Sequence, residues 1–228
     1  MKFKTLETTG KIFITSDTHF GHKNLCRGVT NWRTQDGEIP IESTRDFQTI
    51  EQMNERIVDG INFMVGQDDT LIMLGDVSFG GFENIGIFLD RLVCKNIHLI
   101  LGNHDTHIEK NREEIQNRFL SVQHYLEVRI NDKDFVLCHY PLQSWHGLNK
   151  GVIHLHGHVH LSPDKKFGNG KKMDVGMDGN GLNPYSIDEI IKIMDKRPVG
   201  SDITNDHHLD DLVGVVGFIT VIKKSKKN

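Results

Sequence analysis

The chain has 228 residues, and its 27 basic and 31 acidic side chains give a formal net charge of −4. This length suggests one or two domains with a core large enough to need no disulfides, and the charged and hydrophobic fractions of 25% and 37% exclude a disordered polyelectrolyte and a fibrous repeat. The mild acidity also argues against a general nucleic-acid coat protein, which would normally carry a basic face or tail.

The sequence offers no sign of membrane insertion or secretion. No apolar run approaches the roughly 20 residues that a membrane helix needs. The longest, residues 212–222, contains two glycines and predicts a strand. No long apolar stretch follows the first residues, so we expect no secretory signal. The three cysteines, Cys26, Cys94 and Cys138, lie far apart and indicate reduced thiols in a cytoplasmic protein.

Alternating apolar segments predict an α/β protein. Short runs rich in Ile, Val and Leu predict buried strands at residues 11–14, 70–74, 96–101, 135–138 and 152–156. Helical spacing predicts helices at 47–65 with Ser43 as N-cap, at 85–93, at 108–119 and at 186–194, the last opened by a Ser186–Glu189 capping box. This alternation predicts a largely parallel sheet. Residues 122–138 predict a hairpin turning at 131–133, so the sheets should be mixed.

We expect residues 1–228 to form one domain. The polar stretch 30–42 predicts a long loop, and residues 198–210 predict a linker or flexible excursion before a short Lys-rich tail at 223–227. Neither stretch indicates a domain boundary, because the polar loops around them converge on one set of donor side chains.

Those donor side chains follow the predicted strands. In open α/β sheets, ligands bind beyond the carboxyl ends of the strands. Here these ends carry only oxygen and nitrogen donors: Asp17, His19, Asp76, Asn103, His104, His139, His158 and His160. This set suits Mn, Fe, Zn, Ni or Mg better than a structural thiolate zinc site. The donors outnumber what one four-coordinate ion needs, so we expect two ions sharing a carboxylate, with Asp76 as the natural bridge.

The order of these segments resembles the signature of the calcineurin-like metallophosphoesterases. The matching pieces are Asp17-Thr18-His19, Gly75-Asp76, Gly102-Asn103-His104-Asp105, His139 and Gly157-His158-Val159-His160. The resemblance spans residues 12–160 and is strongest to the small stand-alone bacterial and phage phosphoesterases. It implies a four-layer αββα fold, in which two mixed β-sheets are sandwiched between helices.

The resemblance also implies a role for each motif residue. One metal ion would take Asp17, His19 and His160, the other would take Asn103, His139 and His158, and Asp76 would bridge them. The catalytic residues would be His104, which faces the substrate, and Asp105, which orients His104 or its loop. The cofactors would be two divalent metal ions, with Mn favoured.

The implied reaction is direct attack on a phosphate ester by a metal-bridging hydroxide, with His104 assisting the leaving oxygen. We identify no cationic clamp for a dianionic monoester, so we prefer a phosphodiesterase of small nucleotide-like substrates. A phosphomonoesterase, a catalytically silent metal-binding scaffold and, less readily, a nuclease remain alternatives. Phe79 stands where many relatives carry Asp or Arg, and Asp105 stands where phosphoprotein phosphatases carry Glu, which disfavours that class.

For several other polar and aromatic residues, the sequence allows either a functional or a structural role. For His154 and His156 we expect packing, or support of the metal ligands, rather than metal ligation, because both precede Gly157, where the predicted strand ends. His22 and Asn24 could touch substrate or shape their loop. We expect Trp145, with His146, to anchor its loop rather than to form a wall on which a base or sugar stacks. His207 and His208 are expected to lie at the surface. The pocket itself should come from loops such as 30–42.

Overall fold

The computed structural model describes residues 3–110 and 114–200, and ten strands in this part of the chain form two sheets. The strands are β1 (Lys4–Thr5), β2 (Ile12–Thr15), β3 (Thr70–Met73), β4 (Asn96–Ile100), β5 (Ser121–Gln123), β6 (Tyr125–Ile130), β7 (Lys133–Cys138), β8 (Ile153–His156), β9 (Lys172–Asp174) and β10 (Tyr185–Ser186). The α-helices are α1 (Ile50–Met64), α2 (Gly81–Arg91), α3 (Thr106–Lys110) and α4 (Ile187–Asp195).

Both sheets are mixed, as predicted. The first has the order β10-β2-β3-β4-β5, and all neighbours are parallel except the β10–β2 pair. The second has the order β1-β6-β7-β8-β9, and only β6 and β7 run antiparallel. The parallel strands therefore send their carboxyl ends, and the loops that follow, toward the candidate site.

The alternating side chains of the strands divide the apolar core. Phe13, Leu71 and Leu99 face the layer formed by α1 and α2, whereas Ile14 and Ile72 face the second sheet. The inter-sheet core also takes Phe135 and Leu155 from the second sheet and Ile187, Ile190 and Met194 from α4. On the outer face of the second sheet, Val136 packs against Trp145, Leu148 and Val152. Period-two burial of this kind holds the two sheets face to face.

The predicted hairpin is shorter than expected, because residues 122–130 do not form one strand. Val122 belongs to β5 in the first sheet and packs with the helix-facing core, whereas Val128 belongs to β6 in the second sheet. The chain crosses between the sheets at His124. The hairpin is thus β6–β7, turning at Asn131 and Asp132, whose φ values of 47° and 62° suit a tight two-residue turn.

The predicted helix starts needed correction. α1 begins at Ile50 rather than near Ser43, because Thr49 and Gln52 form a capping box there. Ser186 does precede α4, but its side chain makes no capping hydrogen bond, so the predicted box with Glu189 is wrong. Ser186 instead pairs with Phe13 as part of β10.

The predicted helix at 108–119 is shorter in the structure. It comprises α3 and a separate 3₁₀ turn at Gln116–Arg118, and residues 111–113 lie outside the described part. Likewise, the predictions for residues 201–228 fall outside the described part. They concern the strand at 212–222, the Lys-rich tail, His207-His208 and most of the 198–210 linker. Among the described helices, none has the length and apolarity to cross a membrane.

Candidate metal centre and active site

Five strands deliver the candidate donors to one place. β2 leads to Asp17 and His19, β3 to Asp76, and β4 to Asn103 and His104. From the second sheet, β7 leads to His139, and β8 leads to His158 and His160. All seven predicted ligands meet at the neighbouring carboxyl ends of the two sheets, in two groups.

The first group consists of Asp17, His19 and His160, whose potential ligand atoms all lie within 4.8 Å of one another. The Nε2 atoms of His19 and His160 approach to 3.1 Å. They lie 3.7 and 3.6 Å from Asp17 Oδ1. That oxygen is buried and has no hydrogen-bond partner among the described residues. A buried carboxylate oxygen facing two imidazole nitrogens is a favourable arrangement for a cation.

The second group consists of Asp76, His139 and His158, again with ligand atoms within 4.8 Å of one another. His139 Nδ1 donates to the carbonyl oxygen of Leu74 at 2.7 Å, which leaves the lone pair of Nε2 free to bind a metal. This Nε2 lies 3.0 Å from Asn103 Oδ1, so the amide joins the second group.

Asp76 lies between the two groups. Its Oδ2 is 3.6 Å from His19 Nε2 in the first group and 3.5 Å from His139 Nε2 in the second. Its Oδ1 accepts a hydrogen bond from the backbone N–H of His104 at 2.9 Å, which fixes the orientation of the carboxylate. Asp76 therefore has the position that a bridging ligand requires.

The backbone is strained at these donors. Five of them have left-handed φ values between 50° and 75°: Asp17, His19, Asp76, His158 and His160. Such conformations cost free energy in residues other than glycine, and they cluster at functional sites in proteins. The surrounding contacts hold these loops in a geometry that the local sequence would not choose.

Two motif glycines permit close approach between the loops. A Cβ on Gly75, whose φ is 90°, would lie 2.4 Å from the backbone nitrogen of Gly102 and 2.8 Å from His139 Nδ1. A Cβ on Gly157 would lie 1.9 Å from Ser16 Oγ and 2.2 Å from Asp17 Oδ2. Any side chain at either position would push the donor loops apart.

Asp105 is fully buried and holds backbone rather than facing the donors. Its Oδ2 accepts from the N–H of Asp76 at 2.8 Å and of Gly102 at 2.9 Å, and its Oδ1 accepts from Val77 at 2.9 Å. The carboxylate thus ties the loop after β3 to the loop after β4. Burial raises the pKa of Asp105, and the three amide donors oppose that rise.

His104 extends into solvent beside Asp76. Its side chain is 44% exposed, and its Nε2 lies 4.0 Å from Asp76 Oδ2. The ring centroid is 4.8 Å from that of Phe79, which packs beside it. His104 is therefore close to the donors yet free to meet a substrate.

The sequence interpretation missed Arg45 and Asp178, which support the first group. Asp178 Oδ2 accepts from His160 Nδ1 at 2.7 Å, so His160 Nε2 keeps its lone pair toward Asp17. Arg45 donates to both oxygens of Asp178 and to the carbonyl oxygens of Asp17 and Thr18. Burial alone would raise the pKa of Asp178, but Arg45 and His160 hold that pKa well below its usual range. No local motif marks either residue.

Other residues considered from the sequence are now placed. His154 donates through Nδ1 to Val136 O at 3.0 Å and accepts through Nε2 from Leu142 N at 2.9 Å, so it is a packed support, as expected. Trp145 is buried and donates to Val152 O, so it anchors its loop.

His156 and His146 are also placed by these contacts. His156 is buried, and its Nδ1 lies 3.0 Å from the carbonyl oxygen of Gly157, which supports the loop that carries His158. His146 stacks on Phe3 and contacts Glu127. Neither histidine belongs to the two donor groups.

A cavity of about 760 Å³ lies beside the first group. Its lining includes His22 and Asn24, both considered above, and Trp32 and Glu42 from the loop that we expected to contribute. His19, His104 and His160 line the cavity as well. The volume falls within the usual range of small-molecule sites.

The donor set fits two divalent cations. Each group offers a carboxylate and two imidazoles, Asn103 adds an amide oxygen, and His139 and His160 have their other ring nitrogen satisfied by a carbonyl and a carboxylate. Histidine ligands in metal sites have this kind of outer partner. The absence of cysteine favours metals that accept oxygen and nitrogen ligands.

The fold and these groups are those of a metal-binding α/β protein, and sequence comparison gives the family and with it the class of reaction, the hydrolysis of phosphoric esters. The model of the calcineurin-like phosphoesterases matches residues 10–216. The chain therefore belongs to the calcineurin-like phosphoesterase family, whose members use divalent metals, and the resemblance seen in its motifs is confirmed.

Individual relatives are distant. The chain is 27% identical over 193 residues to an uncharacterized protein of Methanocaldococcus jannaschii; this match covers 83% of this chain and 94% of the archaeal protein. It is 25% identical over 193 residues to the Gene 66 protein of Mycobacterium phage D29; this match covers 73% of this chain and 87% of the phage protein. A solved protein of unknown function from Aquifex aeolicus shares the fold with a TM-score of 0.58 at 22% identity, covering 81% of this chain and all of that one.

Proposed function

We propose that this protein is a dinuclear metal-dependent phosphodiesterase that hydrolyses small nucleotide-like diesters without a covalent enzyme intermediate. The observation that carries the proposal is the position of Asp76, whose Oδ2 lies about equally far from a histidine of each donor group, at 3.6 and 3.5 Å. One carboxylate placed in this way can serve two cations at once.

The proposed ligands divide as the two groups divide. Asp17, His19 and His160 would hold one cation; Asn103, His139 and His158 would hold the other; and Asp76 would contact both. Bound there, a pair of divalent cations lowers the pKa of water to supply hydroxide near neutral pH and neutralises phosphoryl oxygens. Mn²⁺ is our first choice of metal to test.

His104 would act at the leaving oxygen. Its exposed ring projects from the loop after β4, and Asp76 Oδ1 fixes the backbone of that loop. A protonated Nε2 would donate to the ester oxygen as its bond to phosphorus breaks. General acid catalysis of this kind contributes about 10²- to 10⁴-fold.

Asp105, Asp178 and Arg45 would act through other residues. Asp105 holds the N–H groups of Asp76 and Gly102, and therefore sets the distance between the loops that carry Asp76 and Asn103. Asp178 fixes the tautomer of His160, and Arg45 neutralises Asp178. We assign all three as positioning residues.

The charge around the cavity favours a diester over a monoester. Arg45 is the one Lys or Arg among the described residues that line the cavity, and four of its five N–H groups are already committed to Asp178, Asp17 and Thr18. A monoester dianion would lack a free cationic side chain there, whereas a diester carries one negative charge fewer.

The test begins with protein stripped of metal by chelation and reloaded with Mn²⁺. We expect two metal equivalents per chain by elemental analysis, and faster hydrolysis of bis-p-nitrophenyl phosphate than of p-nitrophenyl phosphate. His104→Ala should lose activity, whereas His124→Ala, at an exposed histidine between β5 and β6 that belongs to neither donor group, should keep it. Two bound metals without hydrolysis of any phosphate ester would instead support a metal-binding scaffold. Preference for the monoester would support a phosphomonoesterase.

A further inference from the structure

The cavity adjoins only one side of the donor site. His19, His160 and His104 line the cavity, whereas His139 and His158 are absent from the described lining. Under the proposed function, His104 marks the leaving-group side of the reacting phosphorus. The cavity is therefore positioned to receive the part of the ester that departs.

Trp32 lies at this cavity, on the loop formed by residues 30–42. It is 37% exposed, although tryptophan usually contributes to a core. Its backbone is held locally: its N–H donates to Thr30 Oγ1 at 3.1 Å, and the guanidinium of Arg33 donates to the carbonyl oxygens of Trp32 and Thr30. The backbone that carries the indole is thus held in place, and the ring lines the cavity.

A continuous aromatic wall, formed by Trp32, His22 and Phe79, connects this indole to His104. The rings of Trp32 and His22 lie 5.7 Å apart, nearly perpendicular. His22 stacks on Phe79 at 3.8 Å with an interplanar angle of 7°, and Phe79 contacts His104 at 4.8 Å. Phe79 does not itself line the cavity, but it packs against His22 and His104, which do.

The remaining lining completes a site for a planar group with polar edges. Val159 and Pro163 supply further apolar surface, and Asn24, Ser43 and Thr44 supply hydrogen-bonding groups. Aromatic rings stack on tryptophan through dispersion and quadrupole interactions, and nucleic-acid bases do so regardless of their sequence. A cavity of about 760 Å³ is large enough for a nucleoside.

We propose that Trp32 is a specificity-determining residue that stacks on a planar ring in the leaving group, so that the preferred esters release a nucleoside or a similar ring-bearing alcohol. This inference rests on the proposed function, because His104 defines the leaving-group side. It adds the residue that selects the substrate and the chemical class selected.

The first test measures binding. Adenosine 5′-monophosphate and ribose 5-phosphate share the phosphate and the sugar but differ in the base. As inhibitors of bis-p-nitrophenyl phosphate hydrolysis, we expect the nucleotide to bind about 10-fold more tightly to the native enzyme. Trp32→Ala should remove this difference without weakening ribose 5-phosphate, and Trp32→Tyr should restore most of it. Phe63→Ala, at an exposed aromatic residue of α1, is the matched control and should change neither constant.

The second test does not depend on activity. The chain has two tryptophans, and Trp145 is buried behind the second sheet, so adenosine 5′-monophosphate should quench the emission of Trp32 selectively. Trp32→Phe should abolish this quenching. Equal binding of the two phosphates by an active native enzyme, or quenching that persists in Trp32→Phe, would overturn the inference. A native enzyme that hydrolyses no ester yet shows Trp32-dependent quenching would retain the ring site and refute the phosphodiesterase.

Discussion

Replacement of Asp105 is the sharpest test of how the site is held together. Its two carboxylate oxygens accept three backbone N–H groups at 2.8–2.9 Å, two of them through Oδ2. Asp105→Ala would leave all three buried donors unpaired. In Asp105→Asn, the side-chain oxygen can take the position of Oδ2 and keep the bonds from Asp76 and Gly102. The side-chain NH₂ group would then face the N–H of Val77, and that hydrogen bond would be lost.

The magnitude follows from these contacts. A hydrogen bond to a charged group contributes about 1.5–3 kcal/mol, and leaving its buried partner unpaired costs a similar amount. Because burial raises the pKa of Asp105, part of each bond offsets the desolvation of the carboxylate, so we use the lower end of that range. We expect a loss of about 1.5–2 kcal/mol in the free energy of unfolding for Asp105→Asn and about 3–5 kcal/mol for Asp105→Ala.

The assay is urea denaturation of the metal-free protein, followed by titration with Mn²⁺. Because Asp105 fixes the backbone of Asp76, both variants should also bind metal about 10- to 100-fold more weakly. Asp90→Asn, at an exposed carboxylate paired with Arg118, should change stability by less than about 1 kcal/mol and leave metal affinity intact. Native stability and native metal affinity in Asp105→Ala would refute this account of the site.

Three further predictions test other parts of the structure. Asp76→Ala should abolish binding of both metal ions by elemental analysis, whereas loss of one ion alone would contradict the bridging position. His104→Ala should retain both ions but lose about 10²- to 10⁴-fold in rate, most for esters with poor leaving groups; equal losses for good and poor leaving groups would indicate substrate positioning instead. Burial lowers the pKa of His154 to about 4, so the neutral ring stabilises the fold fully above its ordinary pKa of 6.5, and this contribution is lost progressively as the pH falls from 6.5 to 4. The contribution is about 3 kcal/mol. In denaturation of metal-free protein between pH 7 and 4, the free energy of unfolding of His154→Gln should therefore depend less steeply on pH than that of the native protein. Part of this pH dependence remains in the variant, because the pKa of His156 is also about 4. An unchanged slope would show that His154 is not the titrating group.

The sequence alone determined the five strands that lead to the donors, the mixed character of the sheets and the group of donors. These follow from local patterns, because a short apolar run ending in Gly, Asp or His specifies both a buried strand and the polar loop after it. Since neighbouring parallel strands end at a common edge, Asp17 and Asp76, which follow β2 and β3, could be expected to meet before any coordinates were known. The approach of Asp17 to His160, which follows a strand of the other sheet, was implied by the family resemblance.

The tertiary structure decided which side chains support the donors. Arg45 and Asp178 are 133 positions apart and follow no spacing rule, and Asp178 adopts its role only because its carboxylate meets His160. The same holds for the division of the predicted long strand at His124, since the two sheets compete for its flanking residues. A local sequence pattern predicts which side of a segment is buried. The hydrogen-bond partner of a polar side chain depends instead on how distant segments pack, and this packing is determined only in the folded chain.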